Sequence, residues 1–436
     1  MKKLQYLWEE LNASFWFIPV LMLVIASGFA FFFLYLDTSF DYQPSGFWKY
    51  LFSGSVDSAR SILTIIAGAM IGVAGTVFSI TLVVLTLASS QLGMRLIRNF
   101  MYDKLTQVAL GIYVASFVYC LLIINAIREN DELIFVPVIS VFVALVLAFA
   151  GIVFLVIFIH HVSVSIQADK VISDISDTMS KSIQKLFPED IGQEDDLPDP
   201  SLEDLKRDYP LVEKVKSPDS GYLQSVDGDT LLEIATENNS VVILHHRPGD
   251  FLVKNAVMCE YISKEPNSED LIEKINDCFI VGKVRTPLQD AEFSIHQMVE
   301  VASRALSPGI NDPYTAIACI DNLTSVLCYL AGARFPSSYR FDEQGSLRII
   351  ADKHSFKGML DAAFNQIRQY ADKSPAVMIR LLESMVTIHS FAQTEAQKKE
   401  ISAHGKMIVN AAERSFHETR DLKDLKKRYK MLKGEK

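Results

Sequence analysis

Four long stretches of this 436-residue chain, 15–36, 62–88, 106–127 and 133–160, hold no Asp, Glu, Lys or Arg. Each is long enough for a helix to cross a bilayer, which takes about 20 apolar residues. The lack of charge at that depth counts against an ion-coupled transporter or proton pump, which place ionisable groups inside the membrane. Cysteine is scarce as well: Cys120, Cys259, Cys278, Cys319 and Cys328 show no CxxC spacing. An odd count without that spacing argues for reduced, mostly buried thiols rather than a disulfide frame or a zinc site. No GxxxxGK[ST], HExxH, GxSxG or dinucleotide glycine fingerprint is present, so no enzyme motif assigns a reaction. The formal net charge of −10 leaves little for a nucleic acid to bind. No cofactor is implied.

What is there reads as an integral membrane protein with a large soluble part: half of the residues are apolar and the mean hydropathy is positive. Basic residues set the orientation. Lys2 and Lys3 precede the first run, Arg95, Arg98 and Lys104 fill the loop between the second and third, and Lys170, Lys181 and Lys185 follow the fourth. The other side has only Lys49, Arg60 and Arg128, so both termini are expected in the cytoplasm. The first run has a basic start but is too long for a signal-peptide core, and reads as a retained anchor.

The second run carries a stripe of small residues: Ser61, Thr64, Gly68, Gly72, Gly75, Ser79, Thr86 and Ser90. The steps are threes and fours with one missing rung, which puts them all on one helical face. In lipid such a face lets backbones approach closely. Two readings stay open: a tight helix-packing seam, or helices of several copies set around an axis with Thr64, Thr76, Ser79 and Thr86 as polar lining.

Residues 1–165 are thus expected as a transmembrane domain and 166–214 as a helical extension with an acidic linker. Ile166, Ile172, Ile175, Met179, Ile183 and Leu186 form an apolar seam fit to pair with a neighbouring subunit. Residues 46–52, between the first two runs, suit a short interfacial helix. From 215 to 284, short β-type runs around a Pro248-Gly249-Asp250 turn predict a small β-rich domain. The stretch PGDFLVKNAVMCEYI is similar to the strand–turn–strand of barrel-sandwich folds such as lipoyl and biotinyl carriers, without a carrier lysine in a tight hairpin. From 285 to 436 the pattern predicts a helical domain. Asp290, Asp312-Pro313 and Ser374-Pro375 mark helix starts there, and a basic tail follows.

Three groups in that region are candidates for chemistry. Glu292, His296 and Glu300, four apart, could hold a metal, or form a salt-bridged helix face. Asp321 interrupts an apolar helix and needs a partner if buried, with Arg304 and Arg285 nearest in sequence. Ser307, Gly309, Asn311 and Asp312 form a turn that could bind a ligand through backbone groups or simply close the loop.

The chain also resembles a bacterial membrane-protein family, domain of unknown function 2254. The resemblance is carried by ARSILTIIAGAMIGVAGTVFSITLVVLTLASSQLGMRLIRNF, FVYCLL, FIHHVSVSIQ and RPGDFLV. Most specific is RTPLQDAEFSIHQMVEVASRALSPGINDPYTAIACIDNL. It covers residues 10 to 420 and implies a four-span protein of the bacterial plasma membrane with a cytoplasmic C-terminal region. It implies no activity and no catalytic residue. Together these readings lead to a homo-oligomeric channel or pore-like protein in the lipid bilayer, gated or informed by its cytoplasmic part. The alternative is a non-conducting scaffold or sensor whose cytoplasmic part binds a protein partner or small ligand.

Overall fold

The computed structural model describes residues 14–39, 55–91, 93, 103–130, 133–187, 205, 207–266, 268–352 and 354–434. The interfacial helix expected at 46–52 and the acidic linker expected at 188–200 lie outside them. The chain forms two compact units, one through Lys170 and the other from Val171 on.

The first unit is helical: α1 (Phe17–Ser39), α2 (Val56–Gln91), α3 (Lys104–Ala126) and α4 (Val138–Ser165). All four are long and apolar enough to cross a membrane. The last run does not begin as a helix. Arg128–Asn130 (β1) pairs antiparallel with Leu133–Phe135 (β2), and Pro137 is the N-cap of α4. A proline favours an extended residue before it, so the helix starts only after Pro137.

α3 packs against α1, α2 and α4 and is the centre of the unit. Small residues make that possible: Ala109, Gly111, Ala115 and Ser116 are all buried. At Gly111 a Cβ would stand 2.5 Å from Met22 Sδ and 3.3 Å from Pro19 Cα, so α1 crosses where the side chain is missing. Two buried tyrosines of α3 then donate to carbonyls of α4, Tyr113 to Gly151 at 2.8 Å and Tyr119 to Ser140 at 3.1 Å. The helix ends are capped across the bundle. Asp37 accepts from the backbone N–H groups of Ile139 (2.8 Å) and Ser140 (3.0 Å) and from the Ser140 hydroxyl (2.6 Å). Asp103, the N-cap of α3, takes the Thr106 hydroxyl at 2.7 Å and lies 2.7 Å from Nε2 of His161 on α4.

In the second unit α5 (Ala168–Leu186) leads to a mixed α+β region. Its strands are β3 (Leu211–Lys216), β4 (Gly221–Val226), β5 (Val241–Leu244), β6 (Phe251–Leu252), β7 (Val257–Ser263), β8 (Phe279–Gly282), β9 (Tyr339–Phe341) and β10 (Leu347–Ile350). Helices α6 (Gly228–Glu237) and α7 (Glu269–Asp277) are interleaved with them. One sheet has the order β3-β7-β5-β10-β9 and the other β6-β4-β8. The helices that follow are α8 (Ala291–Ala305), α9 (Pro313–Gly332), α10 (Phe356–Tyr370), α11 (Pro375–Phe391), α12 (Glu395–Ser415) and α13 (Thr419–Leu432). α9 is the fifth helix apolar enough to span a membrane, but α8, α10 and α11 pack against it.

Several expectations need correction. The β region does not close at 284, because β9 and β10 come from the stretch read as helical and β10 pairs in parallel with β5. Residues 251–252 and 257–263 do not form a hairpin. β6 pairs with β4 while β7 pairs with β3 and β5, unlike the carrier strand–turn–strand. The α5 seam is already covered within this chain: Ile172, Ile175, Met179 and Ile183 are at most 3% exposed. The basic tail is an amphipathic helix, α13, with Leu425 and Leu432 buried and Arg428 bonded to Glu383 at 2.6 Å.

Asp37→Ala leaves the first turn of α4 without its acceptor and is expected to cost about 1–2 kcal/mol. Thermal unfolding of the detergent-solubilised protein reads this, with Asp37→Asn losing less. A midpoint unchanged in both variants rules the cap out as a source of stability.

Candidate functional site

The small stripe of α2 faces away from the unit's own core. Leu63, Ile66, Ala67, Met70, Ala74 and Val77 form the buried face, whereas Ser61, Thr64, Gly68, Gly72, Gly75, Ser79 and Thr86 are all exposed. A Cβ at Gly68, Gly72 or Gly75 would meet nothing within 4 Å. Among the described residues the stripe is therefore not a packing seam. Its hydroxyls are satisfied locally. Thr64 donates to the Arg60 carbonyl at 2.7 Å, Thr76 to Gly72 at 3.2 Å, Ser79 to Gly75 at 2.9 Å and Thr86 to Leu82 at 2.8 Å. Each hydroxyl has spent its hydrogen and keeps acceptor capacity outward. Beside the stripe α2 also exposes Ile65, Phe78, Leu82 and Val83, and α1 and α4 expose Val24, Phe31, Phe32, Phe149, Ile152 and Val156, all suited to lipid tails.

The second unit holds a cavity of about 290 Å3 beyond the carboxyl ends of β5 and β10. Val226, Leu232, Leu244 and Ile349 make an aliphatic floor, and His246, Arg247, Arg340, Asp229 and Asp352 stand at its rim. Arg247 is held by Glu292 at 2.9 Å and lies 3.6 Å from Asp352. The His354 imidazole, 3.8 Å from Glu292, and then the Arg247 guanidinium hold the Glu292 carboxyl below its usual range, against its burial. At 3.8 Å the contact is longer than a formed hydrogen bond.

Beside this lies a second pair. Arg285 contacts Asp290 at 2.6 Å, and its other arm approaches His296 Nδ1 at 3.3 Å. Burial pushes the Asp290 carboxyl up, the guanidinium pulling the other way. The turn at Pro248-Gly249-Asp250 closes onto this pair. Gly249 has φ +103°, and a Cβ there would stand 2.6 Å from the Asp290 carboxylate and 2.9 Å from the Arg285 guanidinium. Only glycine meets both demands.

The residues singled out from the sequence fall into place unevenly. Glu292 and His296 are engaged by Arg247 and Arg285, respectively. Among the described residues no group of three His, Cys, Asp or Glu side chains is arranged to hold a metal, so Glu292, His296 and Glu300 are not brought together as a ligand set. Asp321 pairs with neither Arg304 nor Arg285: it binds Arg380 of α11 at 2.5 Å, and Arg380 also reaches Glu383 at 3.2 Å. That partner is remote in sequence and becomes a neighbour only because α9 packs on α11. In the turn, Ser307 donates to the Arg304 carbonyl at 2.6 Å and Asn311 has φ +50°. Asp312 caps α9 through Tyr314 N, Thr315 N and the Thr315 hydroxyl. These side chains close the loop, and Gly309 borders open space. Arg247 and Arg340 were missed. The RPGD turn was a visible signal for Arg247, whereas Arg340 depends on strand β9, which had no sequence signature.

A family model described as Predicted membrane protein (DUF2254) matches residues 12–387. Uncharacterised proteins of Mycobacterium tuberculosis (strain ATCC 25618 / H37Rv) and Mycobacterium bovis are each 31% identical over 378 residues. The match spans 86% of this chain and 72% of each of theirs. No solved structure matches the chain.

Because its folded pKa is depressed, Glu292 contributes stability that is fully present above its ordinary value of 4.5 and is lost as pH falls through the lowered one. Glu292→Gln should cost about 1–3 kcal/mol at neutral pH and flatten that part of the acid-unfolding curve. An acid-unfolding curve of unchanged shape would remove Glu292 from the pH response. Gly249→Ala should lower the midpoint further than any exposed glycine-to-alanine change, read by the same thermal unfolding.

Proposed function

On the premise that the chain belongs to the family described as Predicted membrane protein (DUF2254), we propose that it is a homo-oligomeric, pore-like protein of the bacterial plasma membrane. In this reading α1 to α4 span the bilayer, both termini are cytoplasmic, and α2 of each copy faces a common axis. α9 does not span, since its apolar faces are packed by α8, α10 and α11. The C-terminal unit gates or senses from the cytoplasm.

One observation carries the reading: a stripe of small and hydroxylated residues runs exposed along α2, flanked by exposed Ile65, Phe78, Leu82 and Val83, where the exposed positions of α1 and α4 are dominated by large aliphatic or aromatic residues. A face built for lipid tails gains from bulk. A face built for another helix gains from its absence, because close backbone approach is what drives association without a hydrophobic effect. The outward hydroxyl oxygens also give such an interface acceptors for water or a cation. The seam of α5, which could have tied neighbouring copies, is used within the chain and lends no support.

The test is current across planar bilayers holding the purified full-length protein, together with particle mass in detergent. Discrete openings that disappear in Gly72→Leu, with the oligomer intact or lost, are the expected result. A monomeric particle overturns the reading, since one small-faced helix per chain encloses nothing. An oligomer silent across several salts and voltages also overturns it and favours a non-conducting scaffold or sensor.

A further inference from the structure

Neither the α2 stripe nor the turn at Ser307–Asp312 involves the cavity over β5 and β10. We propose that this cavity binds an organic monophosphate of nucleoside-monophosphate size, its flat body on the aliphatic floor and its phosphate between Arg340 and Arg247.

The position in the fold comes first. β5 and β10 are the parallel pair of the sheet, in register from Ile349 with Val242 to Ile350 with Ile243, and both chains leave the sheet at the cavity. A crevice outside the carboxyl ends of parallel strands is where α/β sheets hold ligands, because the loops diverge there and leave room. The N-terminus of α6 opens on the same space at Gly228, whose missing Cβ would meet nothing within 4 Å. The Asp227 carboxylate already caps that end, accepting from Thr230 N at 3.4 Å, so α6 contributes open space there and the arginines must supply the charge.

The arginines supply an independent argument. Arg340 is exposed, and Nη1 is tethered to the carbonyls of Ser337 (2.5 Å) and Tyr339 (3.2 Å). Among the described residues no carboxylate lies within salt-bridge distance of it, and only Nη1 is engaged. A tethered guanidinium with three N–H donors to spare, one on Nε and two on Nη2, is a pre-organised oxyanion holder. Arg247 is fixed by Glu292 on one side, so its position does not depend on a ligand. Opposite charges on the rim narrow the class. Asp229 and Asp352 oppose a bare anion and favour a molecule that also carries N–H donors, as an amino-substituted base does. Size narrows it from above: about 290 Å3 is near the lower end of small-molecule sites, which run from about 300 to 1,000 Å3, and leaves no room for a dinucleotide.

The proposal stands apart from the pore reading, because binding to the full-length protein is measured without current. Isothermal calorimetry on the detergent-solubilised chain would use AMP, GMP, CMP and UMP, the four parent nucleosides, and inorganic phosphate. At least one nucleotide is expected to bind with Kd below about 1 mM, its nucleoside and phosphate alone each at least about tenfold weaker. Arg340→Gln should weaken the nucleotide about tenfold or more, the loss of one charge-assisted contact. Gly228→Leu, which fills open space rather than packed protein, should abolish binding while thermal midpoint and elution volume stay unchanged. No binding by any of the four nucleotides at about 1 mM overturns the proposal. So does a nucleoside that binds as well as its nucleotide, or full affinity in both folded variants.

Discussion

Inside hydrocarbon a hydrogen-bond donor has no water to turn to, and the helices of the first unit are arranged around that demand. The phenols of Tyr113 and Tyr119 find carbonyls of α4, and the first N–H groups of α4 find Asp37 from the end of α1. The threonines and serines of α2 bend back to the carbonyls of their own helix. Each bond removes a cost of the order that an unsatisfied buried polar group carries, about 1–3 kcal/mol. Close packing at Gly111 brings the helices near enough for these bonds to form. Because α2 satisfies its hydroxyls without a neighbour, its stripe can stay outward at little cost and still remain sticky to a second small face.

The second unit solves a different problem, burying charge beside water. Arg285 with Asp290, Arg247 with Glu292 and Arg348 with Asp342 are paired at 2.6 to 2.9 Å. Leaving one member unpaired would be far costlier than never burying the pair. The RPGD turn is folded onto the first of these pairs, which is why Gly249 must be glycine. The same turn delivers Arg247 to the cavity rim, so the ion-pair network and the cavity share one structural cause. Buried thiols take no part: burial pushes Cys259 up to about 12, leaving it a packing residue.

Local chemistry was legible wherever a short-range rule decides the outcome. Asp290 and Asp312 cap α8 and α9, and α11 starts at Pro375 directly after Ser374. The strands at 221–226 and 241–244 follow from their own residues. Strands β9 and β10, three and four residues long, carry too little pattern to be seen alone, and they exist because β5 offers an open edge. The α5 seam was read correctly as apolar and wrongly as intersubunit, since periodicity tells which face is buried and never what buries it.

By itself the sequence determined the four charge-free helices of the first unit, the helix starts, the small stripe and membership of the family. All of these depend on neighbours within a turn or two, or on composition over a span. Tertiary structure decided that α3 rather than α2 is central, that the stripe points outward, that Asp321 answers to Arg380, and that Arg247 and Arg340 meet over one cavity. Those are contacts between residues tens of positions apart. They follow from which faces pack together, a choice made by the whole chain when it buries its apolar surface.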